Sequence, residues 1–202
     1  MERGISRRAL LGAGAATLVA ATAAPAAAER TCLDRLLTKR RMIRKFRPDP
    51  VSDETIDRLI GSAIRAPSAG HTEPWSFLVV RDEAKRKALA RAALGQRFVA
   101  EAPVVLVACA DSSRPRPRYG ARADRYALID TSFASMLLLL AIVEERLGAC
   151  FVGAFHDDEV AKICGLPDHV QPLAVIPVGV PAEDPRPLPV RPVEKVRRRE
   201  HW

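Results

Sequence analysis

Two guanidinium groups four residues apart, Arg40 and Arg44, open the part of the sequence that could do chemistry. On a helix that spacing puts both on one face. Guanidinium pairs grip phosphate because their planar fork matches its oxygens. The two lie in a basic run, Lys39-Arg40-Arg41-Met42-Ile43-Arg44-Lys45-Phe46-Arg47, for which a solvated charged face is the plainer reading. The second feature is the loop Ala66-Pro67-Ser68-Ala69-Gly70-His71-Thr72-Glu73-Pro74-Trp75, built from small and polar residues and two prolines. The sequence lacks H-E-x-x-H, G-x-S-x-G, a phosphate-binding P-loop and any acid pair of obvious spacing. Cys32, Cys109, Cys150 and Cys164 form no C-x-x-C pair. Cys109 and Cys150 lie in apolar runs and read as small core residues. A metal site from Cys150, His156 and Cys164 has no recognised spacing.

The elements that must position these groups follow from periodicity. A short helix spans about Thr31 to Lys39 and leads into the basic run. Ser52 is a good N-cap, and Ile56, Leu59, Ile60, Ala63 and Ile64 give the next helix one apolar face, ended by Pro67. Ser76 to Val80 is a strand, Glu83 to about Leu94 a polar helix, and Val104 to Ala108 a fully apolar strand. Asp111 to Gly120 is rich in Pro and Arg and reads as a loop. Asp124 to Leu147 is a long helix, apolar nearly all round from Phe133 to Val143, which predicts burial on every side. Its apolar part is shorter than a bilayer span requires. Ala149–Val152 is a third strand, Asp157–Cys164 a helix capped by Asp157, and Leu173–Val178 a fourth strand. The tail from Pro181 carries prolines at 181, 185, 187, 189 and 192. Such a tail runs along a surface, its own or a partner's.

The chain also begins in the order basic, apolar, small that marks an export signal. Ser6-Arg7-Arg8 with Leu10-Leu11 behind points to the twin-arginine route, with cleavage after Ala28 and a periplasmic destination. The rival reading, a membrane anchor, asks for a longer and more Leu-rich run. Residues 29–202 then form one domain of 174 residues. The chain's net charge of +8 falls to +6 without Glu2, Arg3, Arg7 and Arg8. That balance suits anionic ligands or nucleic acid. Aromatics at 5% are thin for base stacking, and no nucleic-acid motif appears.

Five stretches, in order, resemble the FMN-dependent nitroreductase family. They are Arg40-Arg41-Met42-Ile43-Arg44 before Phe46-Arg47-Pro48, the Ala66–Trp75 loop, Gly95-Gln96 with Ala100-Glu101-Ala102-Pro103-Val104-Val105, Leu147-Gly148-Ala149-Cys150-Phe151-Val152-Gly153-Ala154-Phe155, and Arg191-Pro192-Val193-Glu194. The resemblance implies an α+β fold with a mainly antiparallel central sheet flanked by helices, in an intertwined homodimer whose extended C-terminal tail wraps the other subunit. It implies one FMN at each end of the interface. Arg40, Arg41, Met42 and Arg44 would serve the phosphate end, with Arg191 from the tail. Pro67, Ser68 and Ala69 would line the ring and ribityl chain, and Gln96 the pyrimidine edge. Gly153 and Ala154 would offer backbone N–H groups to the N5/O4 side. His71 and Tyr119 are the candidate substrate contacts.

Three positions depart from the family pattern. Met42 stands where Ser is usual, which forgoes a phosphate hydrogen bond of about 1 kcal/mol. His71 stands where Asn is common, and Met136-Leu137 replace a Gln-Asn pair. The implied activity is ping-pong electron transfer through FMN to a small acceptor, a nitro compound or quinone. NAD(P)H or another donor would supply the electrons, and no catalytic acid or base is needed. A flavin carrier without turnover, and branches that dehydrogenate, dehalogenate or fragment flavin, stay open. The arginines of the Asp111–Arg125 segment suit either an anionic acceptor or a solvated loop.

Overall fold

The computed structural model describes residues 31–202, so the export-signal reading of residues 1–28 lies outside the described residues. Helix α1 (Cys32–Lys39) starts on a reciprocal cap. The Thr31 hydroxyl accepts from the Asp34 N–H at 3.2 Å, and the Asp34 carboxylate accepts from the Thr31 N–H at 3.2 Å. None of its residues is buried within this chain. Helix α2 (Asp53–Ala63) is capped by Ser52 as the sequence predicts and buries Ile56, Leu59 and Ala63. It stops one residue before Ile64, which is therefore half exposed.

Strands β1 (Trp75–Val80), β2 (Val104–Asp111), β3 (Gly148–Ala149) and β4 (Val170–Gly179) form one sheet in the order β1-β2-β4-β3, with every neighbouring pair antiparallel. Strand β2 alternates between two cores. Val104, Leu106 and Ala108 face α2 and the long helix α6 (Ala123–Glu144). Val105, Val107 and Cys109 face α3 (Glu83–Ala92), α4 (Phe98–Glu101) and α7 (Asp157–Cys164). A sheet covered on both faces explains why β2 reads as an unbroken apolar run.

Several expectations are corrected. The third strand is only Gly148–Ala149, with Val152 making a lone bridge to Val175. The Pro/Arg segment is not all loop, because Arg116–Tyr119 forms a short helix, α5. Helix α7 is capped by His156, not by Asp157, and its cap makes no side-chain bond. Helix α6 has 22 residues and is long and apolar enough to cross a bilayer, contrary to the expectation. It instead packs on the sheet with nine buried residues. Nor is it buried all round. Ile129, Phe133 and Met136 fall at i, i+4 and i+7 and are 38–49% exposed. No element of this chain covers that stripe among the described residues. The tail holds one helical turn, α8 (Val193–Val196), and leaves Leu188, Val190 and Val193 open.

Candidate active site

The arginine segment is not helical. The chain leaves the helix at Arg40, with φ −57° and ψ 122°. Met42 then bridges to Ala149 in parallel, and the Ile43 N–H donates to the Ala149 carbonyl at 2.9 Å. In an extended segment, alternate residues share a side. Arg40, Met42 and Arg44 therefore keep a common face, by a period of two rather than by the helical period expected. Ile43 points the other way and is buried against Gly148, where a Cβ would sit 2.7 Å from Ile43 Cγ1. The start of the tail clamps the segment from its other edge. Arg47 N–H donates to the Val180 carbonyl at 2.8 Å, Ala182 N–H to the Lys45 carbonyl at 2.9 Å, and the Glu183 carboxylate accepts from the N–H groups of Arg44 and Lys45.

The side chains of this segment differ in commitment. Arg41 Nη1 turns back onto the carbonyls of Thr38 and Arg40 and caps α1. The Met42 sulfur accepts from the Phe151 N–H at 3.4 Å. The Arg44 guanidinium lies 5.8 Å from the centre of the Phe98 ring. Arg40 Nη1 is buried without a hydrogen-bond partner among the described residues. Beside this segment, Gln96 Nε2 donates to the carbonyls of Ala93 and Ala154 at 2.9 and 3.2 Å. The structure thus gathers Arg40, Met42, Arg44, Gln96, Gly153 and Ala154 around one edge of the sheet. Cys150 lies in the same region; burial pushes its thiol pKa up, while Arg44 pulls it down and Glu183 raises it again.

The loop at the other edge is held by side chains. Gly70, His71 and Glu73 all take positive φ (56°, 56° and 46°). Such backbone persists in non-glycine residues only where the surroundings fix it. Asp130 accepts from the Ala69 N–H at 2.9 Å, and the Ser68 hydroxyl accepts from the Glu73 N–H at 3.1 Å. Arg114 Nε donates to the Thr72 carbonyl at 2.6 Å and Arg118 Nη1 to the Gly70 carbonyl at 3.3 Å. A Cβ at Gly70 would meet Arg118 Nη1 and the Tyr119 hydroxyl at 2.7 Å. Tyr119 in turn packs edge-on to Tyr126, ring centres 4.8 Å apart. His71 is exposed, with Nε2 3.8 Å from the Glu73 carboxylate. Arg116 is engaged by Asp124 and Ser112. Three arginines of the Asp111–Arg125 segment therefore serve structure, which favours the loop reading over an anion grip.

The expected site residues fall into these two groups, with Pro67, Ser68, Ala69, His71 and Tyr119 at the β1 edge. The outer strands of a four-stranded sheet are about 14 Å apart. The two groups therefore lie at opposite edges of the sheet of one chain. Arg191 is exposed on the tail, two residues before α8. Sequence reasoning missed Asp130 and Glu183, and it marked Arg114 and Arg118 as part of an arginine-rich segment without the carbonyls of Thr72 and Gly70 that they bind. Asp130 carried a signal, as a carboxylate in the middle of a largely apolar helix. Burial pushes its carboxyl pKa up, and the Ala69 N–H pulls it part of the way back.

Comparison with known proteins places this architecture. The model of the nitroreductase family matches residues 37–97 and 90–180. An NADH dehydrogenase of Thermus thermophilus is 35% identical over 186 residues, covering 78% of this chain and 91% of that protein. An FMN reductase (NAD(P)H) of Bacillus subtilis is 28% identical over 180 residues, covering 82% and 72%. Among solved structures, an NADPH:FMN oxidoreductase from Vibrio harveyi complexed with NAD+ superposes with a TM-score of 0.77 at 26% identity, covering 83% of this chain and 76% of that one. The chain belongs to the nitroreductase family and is an oxidoreductase. The family's cofactor is FMN. The residues present fit it: a buried guanidinium nitrogen with no protein partner suits an anion supplied by a ligand.

Proposed function

We propose that this protein takes two electrons from a donor and passes them to a small organic acceptor of the nitro or quinone type, in ping-pong order. The observation that carries this reading is Arg40 Nη1, buried with no hydrogen-bond partner among the described residues, in the family's first block, where Met42 bridges to Ala149 of β3. FMN, when bound, supplies the two-electron chemistry. The chain's residues bind and orient. Arg40 and Arg44 hold the phosphate with help from Arg191. Pro67, Ser68 and Ala69 line the ring and ribityl chain, and Gln96 meets the pyrimidine edge. The N–H groups of Gly153 and Ala154 face the side where negative charge develops. His71 and Tyr119 border the acceptor.

Two copies of the chain complete each site in this proposal. The separation of the two residue groups supports it, because a partner can bring its β1-edge loop to the arginine edge. The uncovered Ile129, Phe133 and Met136 stripe, the unburied α1 and the open tail supply surface for the exchange.

The proposed location is the periplasm, reached by the twin-arginine route, which carries folded, cofactor-loaded proteins. Nicotinamide nucleotides are cytoplasmic, so the proposed donor is a quinol or an electron-transfer partner. The test is to purify the protein without residues 1–28, load it with FMN, and reduce it anaerobically. Nitroaromatics, quinones and oxygen are then offered in turn as oxidants. Reoxidation by a nitroaromatic or quinone faster than by oxygen is expected. A colourless protein that takes up no FMN overturns the reading. Fast, saturable NAD(P)H oxidation at low concentration overturns the donor assignment alone.

A further inference from the structure

Asp130 is the one charged residue among the nine buried residues of α6. It is 3% exposed. Burying a carboxylate costs free energy that a neutral side chain would not, so its placement has to be explained. Its hydrogen-bond donor is the Ala69 N–H, 61 residues away in sequence, at 2.9 Å. That peptide is the pivot of the loop. The Ser68 carbonyl accepts from the His71 N–H at 3.1 Å, and the Ala69 carbonyl accepts from the Thr72 N–H and hydroxyl at 3.3 and 3.0 Å. Around it Gly70, His71 and Glu73 take their positive φ. A bond from an N–H to a carboxylate is shorter and about twice as strong as one to a neutral acceptor. In a buried setting it fixes direction as well as distance.

Resting on the flavin reading above, we propose that Asp130 is a positioning residue for the cofactor: its carboxylate fixes the Ser68–Ala69 peptide and with it the edge that the loop presents to FMN. It touches no reacting atom and acts through the backbone it holds. Asp130 lies in the same helix as the exposed Ile129 and Phe133, so the rigid loop and the uncovered face of α6 belong to one element. Asparagine in its place keeps an acceptor oxygen, whereas alanine keeps none.

The experiment compares the wild type, Asp130→Ala and Asp130→Asn in two measurements. One is FMN affinity by flavin fluorescence. The other is amide exchange of the 66–74 segment in the flavin-free protein, a readout independent of cofactor. Asp130→Ala is expected to raise the FMN Kd about tenfold and to speed Ala69 exchange by a similar factor. Asp130→Asn is expected to restore both to within about threefold of the wild type. An Asp130→Ala variant with wild-type affinity and exchange overturns the proposal. So does an Asp130→Asn variant as defective as Asp130→Ala, because asparagine keeps both the side-chain volume and an acceptor oxygen, and its failure would show that accepting from the Ala69 N–H is not what holds the loop. Should Asp130→Ala fail to fold, the wild type decides: an Ala69 amide exchanging as fast as exposed loop amides overturns the assignment, and tenfold protection upholds it. A wild type that binds no FMN would sink the flavin reading but leave the exchange result standing.

Discussion

The arginine segment and the Ala66–Trp75 loop are both connecting stretches at sheet edges, yet they are built in opposite ways. The segment fixes its backbone between β3 and the tail and leaves a guanidinium nitrogen buried without a partner. The loop has strained backbone, and Asp130, Ser68, Arg114 and Arg118 each take up one of its polar groups. In the proposed reading, one region holds a charge in reserve for a ligand. The other is a shape completed before any ligand arrives. Receiving an anion requires unmet hydrogen-bonding capacity, whereas shaping a contact edge requires that none be left.

The largest test of that contrast is Arg40→Ala. Loss of a charge-assisted bond to phosphate is expected to weaken FMN binding by about 10- to 100-fold. The melting temperature of the flavin-free protein should not fall, because the substitution removes a nitrogen, Arg40 Nη1, that is buried with no hydrogen-bond partner among the described residues. A clear loss of apoprotein stability would show that Arg40 is structural and break the comparison. Next is Gly148→Ala, whose Cβ would meet Ile43 at 2.7 Å. Ile43 is β-branched and stiff, so the segment itself has to move. A destabilisation of about 1–3 kcal/mol in urea unfolding is expected, with FMN affinity falling as well. Gly70→Ala tests the loop. With φ at 56° and two side chains packed above it, it is expected to cost about 1–2 kcal/mol. Unchanged stability there would show that the loop is not fixed as described.

The smallest effect concerns the core between the two regions. Burial raises the Cys109 thiol from 9.0 to about 12. In the unfolded chain that thiol ionises first, so between those values the folded state binds more protons and stability falls as pH rises. Native protein at pH 8 should alkylate at exposed Cys32 and not at Cys109. Labelling of Cys109 without unfolding would show that the core is open.

The helices and strands were legible where local pattern and tertiary role agree. Ser52 with Ile56, Leu59 and Ala63 announces α2, and the apolar run of β2 announces a strand covered on both faces. The sequence failed where a distant partner decides. Nothing local says that Met42 will bridge to Ala149, so Arg40 and Arg44 read as helical neighbours although the chain there is extended. Pro115 and Pro117 read as loop-makers although they sit at the cap and in the first turn of α5, where a missing N–H does no harm. Phe133 and Met136 read as buried, since apolar pattern alone does not distinguish a core face from an exposed one. Both site regions were marked by residue type, but their opposite construction was not. The Asp130 contact spans 61 residues, and Arg41 shows no difference in sequence from the arginine beside it.

The reciprocal cap at Thr31 and Asp34 makes α1 self-starting. The Thr31 hydroxyl and the Asp34 carboxylate supply the acceptors for each other's N–H groups at its first turn. A protease trimming anywhere before Thr31 would leave that helix its start. The start of the folded body is thus written into two residues of its own, Thr31 and Asp34.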